Sequence, residues 1–177
     1  VAGDAEAWES FVRSYHRRVY NLCYRFCGSS TDADDLTQDV FIKLYQQRKR
    51  YEPRSRLSTF LFRIAANHCI NIRQRRGFRE SNSEIVDRSP AAESSSPAHA
   101  LQQQRLREQL GQAIVALPGQ QAAAFLLCHY DGLSYREAAD SLHVSESAVK
   151  SLVHRARERL IATLGAGEGL EGDHAVR

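Results

Sequence analysis

The sequence predicts an all-α protein made of two small helical domains joined by a flexible linker. Apolar residues recur at three- and four-residue spacing along most of the chain, whereas no alternating strand pattern and no Asn-Gly hairpin signal stands out. The 177 residues are 42% hydrophobic, which is enough to bury a core in each domain. The sequence has no apolar run of about 18 residues, which would predict a membrane-spanning helix. Its N-terminus lacks the basic-then-apolar pattern of a signal peptide.

The first domain is predicted to span residues 1–77 and to contain three helices. The first runs from about Asp4 to Cys27 and carries an unbroken apolar stripe. The second runs from about Thr31 to Gln47 and begins with acidic residues, which the helix dipole favours at that end. The third is predicted to start at a Ser58 cap and to end near Arg76. Its polar stripe, separate from its apolar side, comprises Arg63, Asn67, Asn71 and Arg75.

Residues 78–97 are predicted to form the flexible linker. The segment is rich in serine, proline and acids and has little apolar periodicity, so it cannot bury enough apolar surface to fold alone. The second domain then spans 98–164, with a helix to about Ala116, a break at Leu117–Pro118 and a helix from Gln120 to Tyr130. The glycine-rich tail, 165–177, is predicted to be disordered.

The end of the second domain has the pattern of a helix-turn-helix. Ser134 and Glu137 have the spacing of a capping box, which starts the first helix of the motif. His143 stands in the turn where many such motifs have glycine, and Ser145 can cap the second helix. The polar groups that could enter a major groove are Ser147, Lys150, Ser151, His154 and Arg155 on the second helix and Arg136 on the first. A helical hairpin with a solvated charged face is the alternative.

Charge is distributed unevenly along the chain. The net charge is only +3, yet the segment 48–79 contains ten Lys or Arg and one acid, so it carries +9. A concentrated basic block in a nearly neutral chain predicts contact with a polyanion such as nucleic acid.

Three segments carry a resemblance to a known family. They are DADDLTQDVFIKLYQ, STFLFRIAANHCINIRQRR and the C-terminal VKSLVHRARERL, which occur in this order. The chain resembles a bacterial sigma factor of the extracytoplasmic-function (ECF) group over about residues 5–163. The resemblance implies that the first domain, region 2, binds core RNA polymerase and melts the −10 promoter element. It implies that the second, region 4, binds the −35 element as duplex DNA.

The resemblance also implies roles for individual residues. The acidic-plus-amide face of the second helix, formed by Asp35, Gln38 and Asp39, would bind the polymerase. Asn67 and Asn71 stand where the family places amides, which can hydrogen-bond the edge of an extruded base. The complete set of −10 contacts that the resemblance implies is Arg54, Arg56, Phe60, Asn67, Asn71, Arg75 and Arg76. The −35 contacts that it implies are the polar residues of the helix-turn-helix named above. Phe60 is equally well explained as a core residue.

Other function classes fit the sequence less well. A helix-turn-helix response regulator or other DNA-binding transcription regulator is the alternative, but it would need a receiver or ligand domain upstream, where this chain is helical and basic. No nucleophile–base pair or phosphate loop indicates an enzyme. Cys23, Cys27 and Cys69 could in principle bind zinc, but buried free cysteines explain them better, and neither a metal nor another cofactor is expected. The expected location is the cytoplasm, and the expected partners are core polymerase, promoter DNA and an anti-sigma factor that traps a compact arrangement of the two domains.

Overall fold

The structure is a computed structural model that describes residues 5–51, 56–75 and 97–168. These residues form seven α-helices and one short 3-10 turn, Arg48–Arg50, and contain no strand. The helices are α1 (Ala5–Cys27), α2 (Ser30–Gln47), α3 (Leu57–Arg75), α4 (Pro97–Ala116), α5 (Gly119–His129), α6 (Tyr135–Leu142) and α7 (Glu146–Glu168). The all-α prediction is confirmed. No helix in these ranges is long and apolar enough to cross a membrane.

Most helix ends lie within a residue or two of their predicted positions because local capping sets them. Gly28 adopts a φ of 73°, and the hydroxyl of Ser29 then accepts from the backbone N–H of Asp32 to cap α2. The predicted Ser58 cap is wrong, since α3 already begins at Leu57. The carbonyl of Arg56 accepts from the N–H of Phe60 at 3.2 Å, which places the start of the helix before Ser58.

Two further boundaries differ from the sequence prediction. Pro97, placed in the linker, is the first residue of α4, where its fixed φ and missing N–H are tolerated. Helix α7 runs on past Leu164 to Glu168, four residues into the segment predicted to be disordered, because extending an existing helix adds one hydrogen bond per residue. The rest of the predicted linker and tail lies outside the described residues.

Helices α1, α2 and α3 pack together as the first lobe. Apolar side chains at helical spacing meet in its core, and each is at most 8% exposed; they include Val19, Leu22, Phe26, Val40, Leu44, Leu61 and Phe62. Trp8, Phe11 and Tyr15, near the start of the α1 stripe, are only partly buried against this core. Burial of this kind is worth about 1.5–3 kcal/mol for each large side chain.

Helices α4 to α7 form the second lobe and contain the predicted helix-turn-helix. The capping box is complete, since the N–H of Glu137 donates to the Ser134 hydroxyl and the Glu137 carboxylate accepts from the Ser134 N–H. His143 takes the left-handed conformation expected of a turn residue, with φ 55° and ψ 43°. Ser145 caps α7 by accepting from the N–H of Ala148 at 3.2 Å. Val149, Val153, Ala156 and Leu160 bury the inner face of α7.

The two lobes pack directly against each other. Helix α3 contacts α5 and α6, and α1 contacts α4 and α5, so one hydrophobic core extends through both lobes. The sequence predicted a single apolar side for α3, but ten consecutive or near-consecutive residues between Thr59 and Ile70 are buried, because the second lobe covers its other side. The structure is therefore the compact arrangement of the lobes, and the spread arrangement stays a prediction.

Candidate nucleic-acid and protein interfaces

The polar face of α7 is open to solvent. Ser147, Lys150, Ser151, His154 and Arg155 are all exposed, while the neighbouring apolar positions Val149 and Val153 are buried. Arg136, on α6, is exposed as well. The helix-turn-helix thus offers every side chain that the sequence assigned to it, and none of them is covered by the first lobe.

Two of these side chains contact acids of their own helix. The Nζ of Lys150 lies 3.2 Å from the Glu146 carboxylate, and the Nδ1 of His154 lies 3.2 Å from the carboxylate of Glu158. Exposed pairs at this spacing are worth only about 0.3–0.5 kcal/mol, so a phosphate could displace either acid at little cost. Two serines are bonded locally, since the Ser151 hydroxyl donates to the Ser147 carbonyl at 3.1 Å.

The polar stripe on α3 is partly covered. Asn71 and Arg75 are exposed, but Asn67 is half-buried and its Nδ2 donates to the backbone carbonyl of Ser141 at 3.4 Å. Ser141 is fully buried on α6, and its hydroxyl donates to the Glu137 carbonyl. The first helix of the helix-turn-helix therefore sits on one of the two amides predicted to read a base.

Phe60 is a core residue in this arrangement. It is 4% exposed, its ring lies 5.5 Å from that of Tyr51, and the Arg63 guanidinium stacks 4.6 Å above it. A stacking or wedge role, which the sequence left open beside the core interpretation, would require Phe60 to be uncovered.

Within the described part of the basic segment, some cations face solvent and another turns inward. Arg56 is exposed, and its charge helps to lower the pKa of Glu137, which is lowered mainly by hydrogen bonds from Ser134. Arg73 turns inward, with its guanidinium 5.4 Å from the Phe26 ring centroid, and burial lowers its pKa. Arg54 and Arg76, two of the predicted −10 contacts, lie outside the described residues.

The predicted polymerase-binding residues share an exposed face of α2. Asp35, Gln38 and Asp39 are all exposed, and Leu36 and Val40 behind them are buried. The same helix exposes two large apolar side chains, Ile42 at 54% and Tyr45 at 49%. A face that combines carboxylates with exposed apolar groups is suited to a protein partner rather than to a polyanion.

Sequence reasoning missed a cluster that joins the lobes. The turn after α5 places Tyr130 and Asp131 against Arg18 and Arg25 of α1, around a cavity of about 70 Å³. The Arg18 guanidinium donates to the Asp131 carbonyl at 2.8 Å, and the Arg25 guanidinium stacks 4.1 Å from the Tyr130 ring centroid. The sequence signals the turn through Asp131 and Gly132, but nothing in it pairs that turn with α1.

Two of the four cysteines, Cys23 and Cys69, are buried, and the other two are half-buried. The Sγ atoms of Cys23 and Cys69 lie 3.8 Å apart between α1 and α3, and Cys27 donates to the Ser29 carbonyl instead of joining them. Burial raises the pKa of Cys27 to about 11, which keeps its thiol protonated. Among the residues that the structure describes, no three His, Cys, Asp or Glu side chains are grouped to hold a metal ion.

Comparison with known proteins supplies the relatives of this chain. Two family models match it: Sigma-70 region 2 over residues 11–79, and Sigma-70 region 4 over residues 107–160. The chain is 37% identical over 165 residues to the ECF RNA polymerase sigma factor SigE of Mycolicibacterium smegmatis, covering 90% of this chain and 63% of that protein. It is 30% identical to SigW of Bacillus subtilis, covering 89% of each chain. It is 32% identical to the sigma-E factor of Escherichia coli, covering 89% of this chain and 86% of that one.

Solved structures share the fold. The sigma factor RpoE of Bartonella quintana, in complex with the anti-sigma factor NepR, matches with a TM-score of 0.71 at 24% identity, covering 91% of this chain and 98% of that one. CnrH, in complex with the cytosolic domain of CnrY, matches with a TM-score of 0.69 at 24% identity, covering 93% of this chain and 92% of that one.

Proposed function

The chain belongs to the ECF family of RNA polymerase sigma factors, and from this premise we propose how it directs transcription initiation at promoters. It binds core RNA polymerase, recognises the −35 element as duplex DNA and melts the −10 element. Sigma factors are DNA-binding initiation factors, so we assign it no catalytic residue. The rival response-regulator interpretation loses its support, because the residues before the helix-turn-helix match sigma region 2.

The proposed domains follow the sequence prediction except at the two ends of the second domain. Residues 1–77 are region 2 and 98–164 form the body of region 4; because α4 begins at Pro97 and α7 ends at Glu168, the linker is 78–96 and the tail 169–177. The two family matches, which fall within 11–79 and 107–160, support this division.

The exposed face of α7 reads the −35 element. The exposure of this polar face is the observation that supports the proposal most directly. The first turns of α7 project small hydroxyls and cations outward, and side chains of this kind bond base edges and phosphates in a major groove. The proposed contacts are Ser147, Lys150, Ser151, His154 and Arg155, with Arg136 on α6.

The −10 element is read by α3 and the basic segment before it. Asn67 and Asn71 bond bases that have left the stack, and Arg54, Arg56, Arg75 and Arg76 hold phosphates. Phe60 stacks on a base only if it is uncovered. Since Asn67 is bonded to Ser141 in the packed arrangement, α6 must leave α3 before Asn67 can bond an extruded base.

The polymerase binds the exposed face of α2 through Asp35, Gln38 and Asp39. The exposed Ile42 and Tyr45 extend the same helix surface with apolar area. Because this face lies on the first lobe and the −35 face on the second, variants of one should leave the other intact.

We also propose an anti-sigma partner that stabilises the packed lobes. One similar solved structure is a sigma factor bound to an anti-sigma factor, and in the other CnrH is bound to the cytosolic domain of CnrY. A partner that holds the lobes together would keep Asn67 covered. We place the protein in the cytoplasm, where the polymerase acts, with its partner able to hold it at the inner membrane.

The test is assembly and transcription with purified core polymerase. Full-length protein should co-elute with core in gel filtration and support run-off transcription from a subset of genomic fragments. Asp35→Lys or Asp39→Lys should abolish co-elution, whereas Glu6→Lys, a reversal of an exposed acid on α1, should not. Failure of the wild-type protein to assemble with core would refute the proposal, and normal assembly of both reversals would remove α2 from it.

A further inference from the structure

A three-residue cluster joins α2 to α3 beside the proposed polymerase-binding face. The Nε2 of His68 lies 3.0 Å from the Oδ2 of Asp39 and 3.3 Å from the Nζ of Lys43. The Lys43 Nζ lies 3.9 Å from the same carboxylate oxygen. The His68 side chain is 9% exposed, whereas that of Asp39 is 52% exposed. A nearly buried imidazole is thus bonded to a carboxylate that is half in solvent.

The chemistry of the cluster fixes the direction of its hydrogen bond. Burial and the nearby Lys43 charge lower the pKa of His68, and these effects outweigh the hydrogen bond and charge of Asp39, which raise it. A neutral imidazole carries one N–H, and a carboxylate can only accept. The short contact is therefore a bond donated by Nε2–H to Asp39, and Lys43 stands beside the pair as a cation.

Packing leaves His68 little freedom to move. It lies on α3 between the buried residues Ala66, Cys69 and Ile70, so its ring is held by the α2–α3 core rather than by solvent. A rigid donor restricts the carboxylate that accepts from it, and a restricted side chain loses less conformational entropy when a partner immobilises it.

We propose that His68 is a positioning residue for polymerase binding. Its N–H holds the Asp39 carboxylate in one orientation on the exposed face of α2, ready for the partner. This inference rests on the proposed role of Asp39 in that interface. The sequence indicated only that His68 lies at the edge of the core, and a purely structural His68 would support α2–α3 packing without regard to the Asp39 carboxylate.

The test compares His68→Leu, which keeps bulk but has no donor, with His68→Gln, which restores an N–H. Affinity of the full-length protein for core polymerase is measured by titration, alone and in the Asp39→Asn background. Pre-ordering one side chain corresponds to roughly a three- to tenfold effect. We expect His68→Leu to weaken binding by that factor, His68→Gln to recover most of it, and His68→Leu to have no further effect once Asp39 is Asn.

A matched control separates positioning from stability. Val19→Ala removes buried apolar volume from α1 in the same lobe and should lower the thermal midpoint while leaving the affinity for core unchanged. The positioning role would be overturned if His68→Leu weakened binding to core equally with and without the Asp39 carboxylate. It would also be overturned if His68→Gln recovered no affinity. If Asp39→Asn alone leaves binding unchanged, Asp39 is not in the interface, and both this inference and that part of the proposed function fail.

Discussion

Arg18 on α1 bonds the backbone of Asp131 rather than its carboxylate. The guanidinium donates to the Asp131 carbonyl at 2.8 Å, but its Nε remains 3.8 Å from the nearer carboxylate oxygen. The Asp131 side chain is 7% exposed, so its charge is desolvated without a close ion pair. Burial accordingly raises the pKa of Asp131 from 3.8 to about 7, although Arg18 and Arg25 both act to lower it.

The packing of the lobes should therefore depend on pH. Because the pKa of Asp131 is higher in the packed arrangement, its protonated form favours packing. This contribution is fully present below pH 3.8 and is lost as the pH rises through about 7. Between pH 6 and 8 the ratio of packed to separated molecules should fall about tenfold. Distances between labels at the exposed Arg13 and Thr163, measured across this range, would show the change.

The matched variant for this effect is Asp131→Asn, which cannot ionise and keeps the backbone carbonyl that Arg18 bonds. Its label distances should vary much less with pH than those of the wild-type protein. The same pH response in both proteins would assign the effect to another group.

Removal of the Asn67 amide should have two opposite effects. Asn67→Ala breaks the bond to the Ser141 carbonyl, so the lobes should separate more readily. It should also relax the preference for one −10 base on a promoter that is already melted at that position. Asn71→Ala, at an exposed residue of the same helix, should affect base preference without changing the label distances. Permanganate footprinting would measure melting, and intact base preference in Asn67→Ala would make that residue a bystander.

Lys150→Ala and Arg155→Ala should weaken binding to −35 duplex DNA without unfolding the protein, because both side chains are exposed. Loss of one phosphate contact should lower the slope of log affinity against log salt by about one unit. Arg105→Ala, at an exposed cation on α4, serves as the control and should change neither quantity. Unchanged affinity and salt dependence in both α7 variants would remove them from the interface.

Replacement of His143 by glycine should stabilise the second lobe. His143 is exposed and has a φ of 55°, so glycine would relieve backbone strain without loss of packing. The gain should be about 1 kcal/mol, partly offset by the extra freedom of glycine in the unfolded chain. A gain of that size raises the thermal midpoint by about 2–4 °C in a protein of this length. An unchanged or lower midpoint would show that His143 makes a compensating contact.

The helices and their ends were predictable because contacts between residues close together in the sequence define them. The Ser134–Glu137 capping box, the left-handed His143 and the Ser145 cap depend on residues within four positions of one another. The exposed residues of α2 and α7 followed from helical periodicity in the same way. The capping role predicted for Ser58 is wrong because the first backbone hydrogen bond fixes where a helix begins. Here the Arg56 carbonyl accepts that bond, so the helix begins before Ser58.

The packing between the lobes was not predictable from local pattern. Arg18 and Asp131 are 113 residues apart in the chain, and Asn67 and Ser141 are 74 apart. Helical periodicity places a residue such as Phe60 on the apolar face of its helix, but it does not show which surface covers that face. The polar residue Asn67 was predicted to face DNA, and its backbone partner on α6 could be identified only once the second lobe was placed.

The two nucleic-acid surfaces differ in accessibility within one molecule, since the α7 face is open while Asn67 on α3 is covered. Under the proposed roles, the packed protein can scan double-stranded DNA and pause at a −35 sequence while the Asn67 amide of its strand-separating helix stays bonded to α6. Search and strand opening then become successive events, and an encounter with the wrong sequence ends before any base pair is broken.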